Sequence, residues 1–137
     1  MPTAGYSGTP LAKKLGIKSG FKYWVYKAPG HYFDLFDDLP SGLNKTENLE
    51  SEMDFVHLFC TDKEDLKQMI PEVKGNLKKE GLTWISWPKG SSKIPTDINR
   101  EVVRELGLAS GLVDVKVAAI DEDWSGLKFV YRKKDRK

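Results

Sequence analysis

The run Met53–Cys60 constrains this chain more than any other stretch. It is apolar everywhere except at Asp54 and His57. A strand with one wet face alternates apolar and polar residues. A strand apolar on both faces belongs in a parallel sheet covered on both sides. The residues that follow complete such a unit. Thr61-Asp62-Lys63-Glu64 matches a capping box, in which the Thr and Glu side chains serve free helix N–H groups reciprocally. Leu66, Met69, Ile70, Val73 and Leu77 then recur at helical spacing. Pro71 removes one intrahelical hydrogen bond and predicts a kink or restart. Gly81 is the expected stop, and Leu82–Trp87 is a second apolar run of strand length.

The flanking sequence repeats the alternation. Thr9 and Pro10 suit the start of a short helix ending at Leu15, with Gly16 as its stop. Phe21–Tyr26 is aromatic and β-branched and reads as a strand. His31–Phe36 has room for one or two helical turns, and Leu43–Glu47 for a short edge strand. Thr96 or Asp97 is placed to cap a helix bearing Ile98, Val102, Val103 and Leu106 on one face, with Gly107 at its end. Val113–Ile120 and Gly126–Tyr131 flank a short turn and read as an antiparallel hairpin. Strands alternating with helices predict a three-layer α/β protein with a mainly parallel sheet and a C-terminal antiparallel hairpin.

Composition narrows the function classes. The chain has 137 residues, 39% hydrophobic and 31% charged, which predicts one globular domain over 1–137. Residues 1–20 are expected to form an N-terminal arm and short helix, and 133–137 a basic tail. A net charge of +2 gives no field that calls for nucleic acid, and the lysines show no stripe interleaved with aromatics. Nucleic acid is therefore not an expected partner. No apolar stretch approaches the ~20 residues of a membrane span. Met1–Tyr6 lacks a signal-peptide core, and the single cysteine, Cys60, fits a reducing compartment; a cytoplasmic location is expected.

Parallel strands bring their outgoing loops to one edge, and ligands bind there where the winding reverses. The reversal is expected between the Phe21 and Met53 strands, with a pocket beside it. The short basic loop Trp87–Lys93, between a strand and a helix, has the character of an anion cradle, since free N–H groups and a helix N-terminus point there. It lacks the spacing of a P-loop. The candidate ligand-binding residues at this edge are Lys27, His31, Thr61, Asp62, Trp87, Lys89, Ser91, Ser92, Thr96, Asp121 and Trp124. His31 is placed to act as an acid or base. His57, inside a buried strand, reads as a core histidine bonded to a backbone carbonyl. Cys60 ends a strand ahead of a helix, a position that can lower a thiol pKa, although an inert buried thiol is the commoner outcome. Trp84 and Trp87 are three apart and should point to opposite faces. No metal site is expected, because the histidines and the cysteine are scattered. Asp121–Asp123 lacks calcium-loop spacing.

Two resemblances follow from particular blocks. Gly5–Ile17, Trp84–Lys89, Pro95–Asp97, Gly111–Val117 and Asp121–Val130 resemble a bacterial family of small proteins, domain of unknown function 3052, which implies a bacterial origin and no stated activity. Leu15–Gly20 before a strand, Asp54–His57, the Leu82–Pro88 strand and the terminal hairpin also resemble a shortened Rossmann-type methyltransferase. In place of that family's glycine-rich loop stands Lys27-Ala28-Pro29-Gly30-His31, and Glu47 is a distant candidate for holding a ribose. The resemblance implies a Rossmann-like fold in which the last strand inserts antiparallel between the Leu82 and Val113 strands, giving the order Phe21, Met53, Leu82, Leu127, Val113.

The function expected from the sequence is binding of a small anionic or nucleotide-like ligand at the strand-end edge, with no cofactor identified and catalysis left open. A degenerate S-adenosylmethionine-dependent enzyme is one alternative. A non-catalytic interaction module, anchored by Tyr6, Tyr32 and Trp124 as exposed aromatics, is another.

Overall fold

The structure, a computed structural model, describes residues 10–136. The elements in chain order are α1 (Leu11–Leu15), β1 (Lys22–Tyr26), a 3-10 turn (Tyr32–Leu35), β2 (Asn44–Lys45), β3 (Met53–Phe59), α2 (Lys63–Asn76), β4 (Leu77–Pro88), α3 (Arg100–Ala109), β5 (Leu112–Ala119), β6 (Trp124–Tyr131) and a second 3-10 turn (Lys133–Asp135). Thr9, the expected cap of α1, lies outside the described residues.

The strands form one six-stranded sheet in the order β2-β1-β3-β4-β6-β5. β2, β1, β3 and β4 are mutually parallel, and β6 runs antiparallel between β4 and β5. This is the Rossmann-like arrangement implied by the methyltransferase resemblance, with its inserted last strand. The winding reverses between β1 and β3, as expected.

The doubly apolar character of β3 has a direct cause. Val56, Leu58 and Cys60 face the core under α2 and α3. Phe55 and Phe59 face the core under α1 and the first 3-10 turn. The two tryptophans of β4 divide between these cores, Trp84 under α1 and Trp87 under α2 and α3. Trp84 also donates its indole N–H to the Leu15 carbonyl at 2.8 Å, which fixes the end of α1. Gly16 follows at φ 85°, a left-handed cap that needs no Cβ.

Four local expectations are corrected. The α2 cap is Asp62, whose carboxylate accepts from Glu64 N at 3.0 Å, not the Thr61–Glu64 box. Pro71 sits on the exposed side of α2, and the helix runs through it to Asn76. The carbonyl it leaves free belongs to the exposed Lys67 and can be hydrated. Gly81 is not a helix stop but part of β4, in a register shift opposite Met53–Phe55. A Cβ there would lie 2.9 Å from the Met53 carbonyl oxygen. α3 is capped by Asn99, whose side chain accepts from Val102 N at 3.0 Å, and it continues through Gly107 to Ala109.

Candidate functional site

β5 runs in the direction of β1, β3 and β4, since β6 opposes both β4 and β5. Their outgoing loops therefore share one edge. Hydrogen bonds tie those loops together. His31 Nε2 donates to Asp121 Oδ2 at 2.8 Å, joining the β1 loop to the hairpin turn. Lys89 N donates to the Asp123 carbonyl at 2.8 Å, and Ser92 Oγ donates to Asp123 Oδ1 at 3.0 Å. Thr96 Oγ1 donates to the Thr61 carbonyl at 2.7 Å. Lys27 Nζ pairs with Asp65 at 3.0 Å, and Tyr26 Oη donates to the same carboxylate at 2.8 Å. Lys27 itself stands at φ 54°, a backbone conformation that glycine adopts more readily.

Below the edge, a buried polar chain crosses from β1 to β4. The Tyr23 and Tyr32 hydroxyls lie 2.5 Å apart. Tyr32 Oη meets His57 Nδ1 at 3.1 Å, and His57 Nε2 meets Ser86 Oγ at 2.7 Å. Burial pushes the His57 imidazole down to about 3, so it is neutral, with one ring nitrogen donating and the other accepting. His57 is a core histidine, as read from the sequence, but its partners are side chains rather than a backbone carbonyl. Phe59 stacks on it with ring centroids 4.3 Å apart, and Tyr32 and Trp124 both meet the Phe59 ring edge-on. Tyr32 packs into this chain beside β1 and β3. A cavity of about 540 Å³ opens at the opposite edge of the sheet, lined by Pro71, Lys74, Lys79, Ser110, Tyr131 and Asp135.

The predicted residues divide accordingly. Lys27, His31, Asp62, Lys89, Ser92, Thr96 and Asp121 stand in the loops of the edge, each held in the contacts above. Thr61 contributes its carbonyl. Ser91 is exposed in the same loop. Trp87 packs into the core under α2 and α3. Trp124 and Tyr32 are 8% and 1% exposed, so neither is a surface anchor. Tyr6 lies outside the described residues. Cys60 is the inert buried thiol: burial, with Asp65 and Asp62 nearby, pushes it up to about 12, and the lowering that a helix N-terminus can give does not appear.

The anion cradle is altered as well. Glu64 N is met by Asp62, Lys63 N by Asp97 at 2.7 Å, and Val102 N by Asn99. Two amides of the α2 N-terminus and one of the α3 N-terminus are served by the chain's own side chains. Sequence reasoning missed Asp65, Asp97 and Asp123 as the partners that organise the edge, and Tyr32 and Ser86 as partners of His57. Only Asp97 carried a signal, as a cap candidate. Among the described residues, no group of three or more His, Cys, Asp or Glu side chains is arranged to hold a metal ion.

This architecture defines the chain as a Rossmann-like α/β protein with the fold of S-adenosylmethionine-dependent methyltransferases. One such enzyme from Aquifex aeolicus matches with a TM-score of 0.60 at 12% identity, over 87% of this chain and 86% of the other. Aeropyrum pernix fibrillarin, solved with natively bound S-adenosyl-L-methionine, matches with a TM-score of 0.59 at 12% identity, over 87% and 72%. The pyocyanin biosynthetic protein PhzM matches with a TM-score of 0.65 at 11% identity, over 89% and 53%. The chain spans about half the length of some of the structures it matches. The chain belongs to the family described as Protein of unknown function (DUF3052), whose model matches residues 35–133. Among curated proteins none matches the sequence. No helix among the described residues is long and apolar enough to cross a membrane.

Proposed function

We propose that the protein binds a small nucleoside-type ligand of the S-adenosylmethionine class on the rim formed by the loops after β1, β2, β3 and β4. The observation that carries this is the reversal of winding between β1 and β3, the position where open α/β sheets take their ligands. The same fold in Aeropyrum pernix fibrillarin holds S-adenosyl-L-methionine, which makes this ligand the first to test. Gly30 has nothing within 4 Å of where its side chain would stand, so the rim has open space there. Glu47 lies two residues beyond β2, exposed at the same edge, and its carboxylate is suited to accept from ribose hydroxyls. Phe33, 46% exposed, offers a ring for a base to pack on. Lys89 and Ser91 have side-chain polar atoms with no hydrogen-bond partner among the described residues, so they can meet the ligand's charged end.

The reading is of binding without methyl transfer. A backbone that approaches a cofactor closely favours glycine. Here Lys27 takes the left-handed position in the β1 loop, and Gly30 is the loop's only glycine. Calorimetric titration with S-adenosylmethionine, S-adenosylhomocysteine and adenosine tests the proposal. Saturable heat with at least one, weakened about tenfold or more (about 1.4 kcal/mol) by Glu47→Ala, supports it. Absence of heat with all three ligands overturns it.

A further inference from the structure

We propose a second site, beside the strand-end rim: a cluster of lysines on the α1 face of β5 and β6 that binds a compact polyphosphate. Its members are Lys14 in α1, Lys18 just beyond it, Lys116 on β5 and Lys128 on β6. Lys116 and Lys128 are direct cross-strand partners. Like charges facing each other across a ladder destabilise a sheet.

A β-bulge creates the pair. Val113 and Asp114 face Val130 and Phe129 in regular register, and the pairing then jumps to Lys116 opposite Lys128, leaving Val115 unpaired. A regular ladder would have set Val115 opposite Lys128. The bulge turns Lys116 onto the face where Lys128 stands, as bulges re-aim side chains next to sites.

The cluster is fixed and uncompensated. Lys116 Nζ donates to the Lys14 carbonyl at 3.1 Å, which draws β5 onto the C-terminal turn of α1. Lys128 Nζ sits 3.7 Å from where a Gly16 side chain would begin. Among the described residues, none of these lysines pairs with a carboxylate, whereas Lys22, Lys27 and Lys78 all do. Burial holds the Lys14 and Lys128 ammonium groups below the ordinary lysine value, with Lys116 and Lys89 adding to this at Lys14, and Lys116 and Lys18 at Lys128. Lys116 and Lys128 both reach the end of α1 from adjacent strands, so their charge is gathered on one small patch, as a compact polyanion requires. They do not trace a long stripe such as a nucleic-acid backbone follows.

Inorganic tripolyphosphate is the probe, followed by calorimetry and thermal unfolding on the full chain. The expected result is saturable binding and a raised Tm. A Lys116→Gln, Lys128→Gln variant should weaken binding at least tenfold, with far-UV circular dichroism showing that it remains folded. Titration with S-adenosylmethionine in parallel reads the rim separately. Absence of tripolyphosphate binding, binding unchanged in the variant, or a short single-stranded oligonucleotide binding more tightly than tripolyphosphate would each overturn the proposal.

Discussion

His57 shows how one residue couples burial to pH. Its ring lies wholly inside the core and titrates at about 3, whereas in the unfolded chain it takes up a proton near 6.5. Between these values the unfolded state holds more protons than the folded state. Stability therefore falls as pH falls across that window, by up to ~1.4 kcal/mol per pH unit from this residue. Urea unfolding of the wild type and of His57→Gln between about pH 7 and pH 4 checks this, and the wild type should lose stability more steeply. Parallel profiles would show that the residue does not charge on unfolding. The sequence placed His57 in the core because its neighbours are apolar. It could not supply Tyr32 and Ser86 as partners, which stand 25 and 29 residues away and arrive only when β1, β3 and β4 pair.

At the scale of the element, α3 separates pattern from packing. The apolar spacing of Ile98, Val102, Val103 and Leu106 gave a helix in the right place. Both ends differed from expectation, for reasons outside the helix. Gly107 ends nothing: it lies over Phe129, and a Cβ would stand 2.2 Å from that ring. The glycine permits the close approach of α3 to β6. Gly107→Ala should therefore destabilise by about 1–3 kcal/mol through overpacking, read as a lower urea midpoint at constant m. An unchanged midpoint would return Gly107 to the role of a mere terminator. Helix starts are ambiguous in the same way. Thr96, Asp97 and Asn99 are all good caps, and the structure gives Asn99 the α3 amide, Asp97 the Lys63 amide and Thr96 the Thr61 carbonyl. Local propensity could not decide among them.

At the scale of the molecule, β3, β4 and β6 form the middle of the sheet, with β2 and β5 at its edges. β3 is buried on both faces, and β2 has two exposed residues. Hydrogen exchange should be slowest for amides of β3, β4 and β6 and fast for β2, because opening the centre requires global unfolding. Amides of β5 outlasting those of β3 would contradict this order of stability. The strand-end edge was legible as a place, since parallel strands aim their loops together. Its filling was not. Tyr32 packs beside β1 and β3, the carboxylates of Asp62 and Asp97 meet amides of α2, and the Asn99 side chain meets one of α3. The lysine cluster was also invisible along the chain, because its members are spread from residue 14 to residue 128.

The sequence by itself determined the parallel core, the order of strands and helices, the burial of His57 and the face assignment of Trp84 and Trp87. All of these follow from hydrophobic periodicity, which is a local property. Only the tertiary structure decided which carboxylate meets which amide, that Trp87 and Trp124 are interior, and that Lys116 faces Lys128. Those outcomes depend on strand register, where one extra residue at Val115 turns the next side chain to the other face of the sheet.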